Sequence, residues 1–225
     1  MSYRVRNRER VINNMFEIEY KGGNTIILTT KKATVVADPK LSVVGLKDVA
    51  IKDAVEIATE PRFATNGTDA KLLIEGPGEY GVADFDIRGI AAQRHLDTES
   101  QPLLDTVYRI EIGDVRIGLL GNIYEKLSDD QLEELGPLDI LIVPVGGNGY
   151  TLDATGAANL VRKIIPKVVV PIHYSDKDLK YEVAQNDLDD FIKDLGAPVE
   201  TVAKYKAKSS SSIPPSLTVI EITRS

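Results

Sequence analysis

The chain of 225 residues contains no cysteine and no tryptophan, and only two histidines. Without cysteine there is no disulfide framework, no thiolate nucleophile and no thiolate metal site. No apolar run approaches the roughly 18 residues that span a bilayer as a helix, so no membrane partner is expected. The N-terminal stretch MSYRVRNRERVINN has arginines but lacks the apolar core of a secretory signal. These absences together point to the cytoplasm.

A net positive balance occurs only at the two ends. Residues 1–14 hold four Arg and one Glu, and residues 204–225 hold three Lys and one Arg against Glu221. The net charge is −7, so the body between the ends carries −13. Such a body repels phosphate backbones, and no basic stripe with interleaved aromatics occurs, which argues against nucleic acid as a partner. The basic segment 1–14 reads as a frayed extension. Residues 15–225 read as one domain, with a Ser-rich linker near 208–212 and a C-terminal strand.

What is present is patterning. FEIEYKGGNTIILTTKKATVVADP alternates and breaks at Gly22-Gly23-Asn24 and at Lys31-Lys32, which predicts three antiparallel strands. Further strands follow in KDVAIKDAVEIA and EGPGEYGVADFDIRGIAA. DTVYRIEIGDVRIGLL is a hairpin turning at Gly113-Asp114. The period then changes. In LSDDQLEELGP, Ser128 and Gln131 form a capping box and Gly136-Pro137 stops the helix. LDILIVPVGG and VVVPIHY are continuous apolar runs, as in strands covered on both faces. Between them DATGAANLVRKIIPK is helical, with Asp153 as N-cap, so this region is a β-α-β unit. A last helix runs from about Asn186 to Leu195. The tail's alternation from Leu217 to Ile222 reads as an edge strand. Two mixed sheets with helices outside satisfy both halves.

GPGEYGVADFDIRGI (76–90), VVADPKLS (35–42) and LSDDQLEELGPLDILIVPVGGNGYTLDATGAANLVRKIIPKVVVPIHY (127–174) resemble the metallo-β-lactamase superfamily, most closely its small cytoplasmic branch of metal-dependent hydrolases. The resemblance runs from about Met15 to Ile222. It implies a four-layer αββα sandwich, an α/β architecture of two mixed sheets with helices on the outer faces. It also implies hydrolysis by metal-bound water, the metal being zinc, manganese or iron.

Set against that pattern, the ligand positions diverge. Where the family carries a His-x-His-x-Asp-His loop, Thr59, Pro61 and Ala64 take the histidine places and Phe63 the aspartate place. The bridging aspartate corresponds to Asn122. Of the family's histidines only the last remains, as His173. The pocket residues expected to survive are His173, Asn122, Asp38, Thr59, Glu60 and Glu125. Asp38 reads as a turn starter in preference to a carboxylate at the pocket rim; Glu60 and Glu125, with His173 and Asp38, offer an oxygen-rich site for a hard cation and read equally as solvated loop acids.

Three functions follow as alternatives. The first is a protein of this fold with a dismantled metal site, binding or scaffolding a small molecule or protein, with no cofactor. The second is a hydrolase using an atypical metal or none. The third is an oligomeric structural protein whose pocket is irrelevant. Pro61 and Phe63 are expected to pack where metal and water would sit. His173 is expected as a neutral imidazole, hydrogen-bonded within the protein, with Asn122 the nearest partner in prospect. His95 is expected at the surface. Gly76-Pro77-Gly78 lacks the following helix of a phosphate loop, and Gly146-Gly147-Asn148-Gly149 lacks the spacing of one.

Overall fold

The structure is a computed structural model that describes residues 15–65, 69–96 and 103–225. The basic extension 1–14 lies outside the described residues. Alternation at the start of the chain produces three antiparallel strands: β1 (Phe16–Gly22), β2 (Thr25–Thr29) and β3 (Thr34–Ala37). The chain then adds β4 (Val55–Ile57) and β5 (Leu72–Ile74), each parallel to its predecessor in the sheet. β13 (Tyr205–Ala207) closes the other edge against β1, giving a six-stranded sheet in the order β13-β1-β2-β3-β4-β5.

The second sheet has eight strands. β6 (Gly78–Val82), β7 (Phe85–Ala92), β8 (Asp105–Ile112) and β9 (Val115–Leu119) form an antiparallel meander. β10 (Ile140–Pro144) and β11 (Val168–Ile172) continue it in parallel. They are joined through helix α2 (Ala154–Ile164), the right context for a β-α-β crossover. The apolar runs of β10 and β11 are buried at every residue, as strands covered on both faces must be.

The tail strand β14 (Thr218–Ile222) is not at an edge. It pairs with β11 on one side and with β12 (Val199–Val202) on the other. The tail's alternation predicts an edge strand, yet the exposed short strand VETV supplies the edge, because alternation fixes which face is covered and not which strands lie alongside. The serines near 208–212 form a 3-10 turn, Ser210–Ser212, tied to Asp114 by the Ser210 hydroxyl at 2.7 Å.

The main core lies between the sheets, where Phe16, Ile18, Tyr20, Leu28 and Ile57 meet Tyr108, Ile110, Ile117, Ile140, Val170 and Ile220. Each fully buried side chain of this size contributes roughly 1.5–3 kcal/mol. A second core sits on the far face of the eight-stranded sheet, under α1 (Asp129–Leu135), α2 and α3 (Leu188–Leu195). α1 has the expected capping box: the Gln131 amide N–H donates to Ser128 Oγ (3.1 Å), and Ser128 N–H donates to Gln131 Oε1 (2.8 Å). Asp153 caps α2 by accepting from Gly156 N–H at 2.7 Å. The outer face of the six-stranded sheet has a lighter cover, in which Val49 and Ile51 pack on Ile27, Val36 and Ala54. The two-sheet sandwich therefore stands as expected. It brings the C-terminal ends of β3, β4, β9 and β11 to one rim.

Candidate functional site

Asp38 follows β3 directly and is buried. Its backbone is left-handed (φ 48°), an uncommon conformation for a residue with a side chain. Thr59, just beyond β4, donates to it twice: the amide to Oδ1 and the hydroxyl to Oδ2, both at 2.7 Å. Burial raises the Asp38 carboxyl to about 7, although both bonds from Thr59 oppose the rise.

The next residues form a short 3-10 turn, Pro61–Phe63. Proline at its first position suits a turn that needs no N–H there. Phe63 is buried (4% exposed), as expected, whereas Pro61 is exposed and fills nothing. The turn directs Pro61 outward and spends its apolar contact on Phe63 alone. Arg62 lies between two rings, its guanidinium carbon 4.6 Å from the Phe63 centroid and 5.2 Å from that of Tyr150. It also pairs with Glu60 at 2.9 Å. Glu60 is buried and receives Arg94 as well, at 3.7 Å. Glu60 is thus a neutralised internal acid.

Asp105 opens β8 and is only 1% exposed, and among the described residues neither carboxyl oxygen has a hydrogen-bond partner. Burial drives its carboxyl well above the usual range, and the charges of Glu60 and Asp38 push the same way. Gly121, at the end of β9, permits this approach. A Cβ there would stand 2.6 Å from Thr59 Oγ1 and 2.9 Å from Asp105 Oδ2. Asn122 follows, also 1% exposed, with neither amide atom partnered. Glu125 is exposed and stands apart from these groups.

His173 ends β11 in a left-handed conformation (φ 53°). Its N–H donates to the Gly23 carbonyl (3.0 Å) and lies 3.2 Å from the Tyr20 hydroxyl. The ring packs against Tyr150 and Tyr181, with centroids 5.5 and 4.9 Å away. Nδ1 is 3.1 Å from Gln185 Oε1, and the Gln185 amide nitrogen donates in turn to the Val183 carbonyl. The Gln185 oxygen therefore assigns the ring proton to Nδ1 and leaves Nε2 as an acceptor. The partner is Gln185, not Asn122. Gly146 makes the contact possible, because any side chain there would collide with the His173 carbonyl and Gln185. Burial lowers the imidazole to about 4, so it is neutral at ordinary pH. His95 is half-buried, its Nδ1 3.3 Å from the Ile123 carbonyl.

Asn24, Asp38, Phe63, Tyr150, His173 and Gln185 share a narrow cavity with about 20 Å³ of room, enough for a water-sized guest. Sequence reasoning missed Asp105, Arg62, Tyr150 and Gln185. Asp105 carries no signal, since it sits at the start of an ordinary alternating strand. The glycine loop before Tyr150 stands out in the sequence, but nothing in it marks the ring as a wall of the pocket.

Residues 17–173 match the profile of the family described as "Beta-lactamase superfamily domain". The chain belongs to the β-lactamase superfamily. Two curated relatives of this superfamily member are a "UPF0173 metal-dependent hydrolase" of Thermococcus onnurineus and a UPF0173 protein of Pyrococcus furiosus. The first is 31% identical over 56% of this chain and 62% of its own length; the second, 30% over 54% and 57%. The chain thus spans about three fifths of the length of the curated relatives it matches. A solved structure from Thermotoga maritima, a candidate Zn-dependent hydrolase of the metallo-β-lactamase superfamily, has a TM-score of 0.74 at 24% identity. It covers 92% of this chain and 100% of that one. The metallo hydrolase Igni18 of Ignicoccus hospitalis has a TM-score of 0.61 at 16% identity, over 81% and 91%. At these identities the solved structures establish the fold.

That such relatives are named for metal dependence corrects the expectation of a protein without a cofactor. The family's imidazole-rich set, however, does not fit the residues present. Among the described residues no group of three or more His, Asp or Glu is placed to hold an ion. Thr59 is occupied with Asp38, Phe63 packs inward, and His173 is engaged by Gln185. Among the described residues no helix is long and apolar enough to cross a membrane.

Proposed function

We propose that this superfamily member is a cytoplasmic hydrolase acting on a small molecule at the rim where β3, β4, β9 and β11 end. The observation that carries the reading is a local deficit of hydrogen bonds. Buried polar groups in folded proteins are nearly always partnered. Here Asn24, Arg62 Nε, Asp105, Asn122 and Thr151 are buried without partners, and all flank this rim; Arg109 Nε is the one such group elsewhere among the described residues. A cluster of this kind is what a polar guest satisfies. Neutral His173 orients a water or substrate group through Nε2 and does not remove its proton. Arg62, braced on Phe63 and Tyr150, gives the mouth a fixed positive charge. The cavity accepts only water as it stands, so a substrate engages from the mouth.

A panel of activated esters, lactones, thioesters and phosphodiesters, with and without added divalent cations, tests the reading. Turnover of one class is expected, and Asn24→Leu, which fills the cavity, should abolish it. The altered ligand positions favour a second reading, a binding or scaffolding protein of the same fold. That reading gains if a ligand binds at the rim while no class turns over under any condition.

A further inference from the structure

The two buried carboxyls at the rim have no counter-ion among the described residues. The two arginines nearby are both directed to Glu60. Among the described residues neither Asp38 nor Asp105 has an ion-pair partner. Asp38 has two hydrogen bonds from Thr59, but among the described residues no side chain partners Asp105. The two acids are neighbours. Thr59 Oγ1 touches Asp38 Oδ2 at 2.7 Å, and the same hydroxyl and Asp105 Oδ2 both lie within 3 Å of the point above Gly121 Cα where a Cβ would stand. Asn122, one residue further on, adds a buried amide with nothing to bond. A buried carboxyl left short of partners is costly whether charged or protonated, and a cation relieves that cost by taking the place of the proton. Two such carboxylates and a neutral amide oxygen are balanced in charge and in donor chemistry by one hard divalent cation, which needs only one or two carboxylates and completes its shell with water.

We propose that Asp38, Asp105 and Asn122 hold one hard divalent cation, of the Mg²⁺, Mn²⁺ or Ca²⁺ class, through oxygen alone. The site is displaced from the imidazole positions and uses an aspartate that the family pattern does not supply. Asp105 is the residue that makes it. Gly121 keeps the space between β4 and β8 free of a side chain. His173 takes no part.

The inference deepens the hydrolase reading and rests on it for the reaction the ion would serve, but ion binding is measured without any substrate. Chelator-stripped protein is titrated with Mg²⁺, Mn²⁺, Ca²⁺ and Zn²⁺ by calorimetry, in parallel with thermal melts and the electron paramagnetic resonance of Mn²⁺. One hard cation is expected to bind per chain, to raise the melting temperature by several degrees and to broaden the Mn²⁺ signal. Asp105→Asn should weaken binding at least about tenfold while melting no lower than the wild type without metal, since it exchanges an unpartnered buried carboxyl for an amide of the same shape. His173→Gln should leave binding unchanged. The proposal is overturned if no hard cation binds stoichiometrically. It is equally overturned if Asp105→Asn binds as the wild type does, or if zinc alone binds and is lost in His173→Gln. Binding without turnover of any substrate class would sustain the ion site and remove the hydrolase; turnover without binding would do the reverse.

Discussion

Replacing His173 with alanine tests how the rim is held. The imidazole is 3% exposed and has one side-chain partner, Gln185, itself buried. Removing the ring leaves the Gln185 oxygen without a donor, which costs roughly 1–3 kcal/mol. The ring contacts with Tyr150 and Tyr181 contribute about another 0.5–1.5 kcal/mol. The backbone bond to Gly23 is kept, and so is the left-handed φ, which alanine tolerates no better than histidine. A loss of roughly 2–4 kcal/mol is therefore expected. For a chain of this size each kcal/mol moves the melting temperature by about 2–4 °C, giving a drop of roughly 5–15 °C. Urea unfolding of His173→Ala, Gln185→Ala and the double variant measures it as a cycle. The double variant should cost less than the sum, because each single change already breaks the shared bond. Strict additivity, or a loss below about 0.5 kcal/mol for His173→Ala, would refute this account.

The same histidine sets a pH dependence. Its folded value, about 4, lies below the 6.5 of an unperturbed imidazole, so the unfolded chain takes up a proton that the fold refuses. Its contribution to stability is present above pH 6.5 and declines as pH falls from 6.5 toward 4; urea midpoints of His173→Gln should lack this part of the decline. Tyr108 links the sheets by donating to the Ala58 carbonyl at 2.8 Å, with the Ile74 carbonyl at 3.3 Å. Tyr108→Phe takes the donor from the Ala58 carbonyl, whereas the Ile74 carbonyl keeps the Ala58 N–H at 2.9 Å, and should cost roughly 1–3 kcal/mol in denaturant melts; an unchanged midpoint would show that the bond holds nothing. Phe63→Ala should cost roughly 3–5 kcal/mol if the ring is a core element, and a melting temperature within 2 °C of wild type, on the order of the smallest resolvable change, would place the ring outside the core.

Local chemistry was sufficient for most elements. Ser128-x-x-Gln131 wrote its own helix start, Asp153 its own cap, and the apolar runs of β10 and β11 their burial on both faces, because each depends on residues a few positions apart. Asp38, Thr59, Glu60, Asn122 and His173 could be marked in advance because the family resemblance sets them at or beside its ligand positions. The place of β14 between β11 and β12 could not be read, since alternation says which face is covered and not which strands lie alongside. Asp105 was invisible for a related reason. An aspartate opening a strand is ordinary until folding brings it, across 46 residues of sequence, against Thr59 at a glycine that leaves it room. The partner of His173 was likewise decided by the loop that carries Gln185. Sequence determined which segments could be strand, helix or turn. Only the packing of the two sheets decided which polar groups lose water together, and that shared loss of solvent is what makes the rim a site.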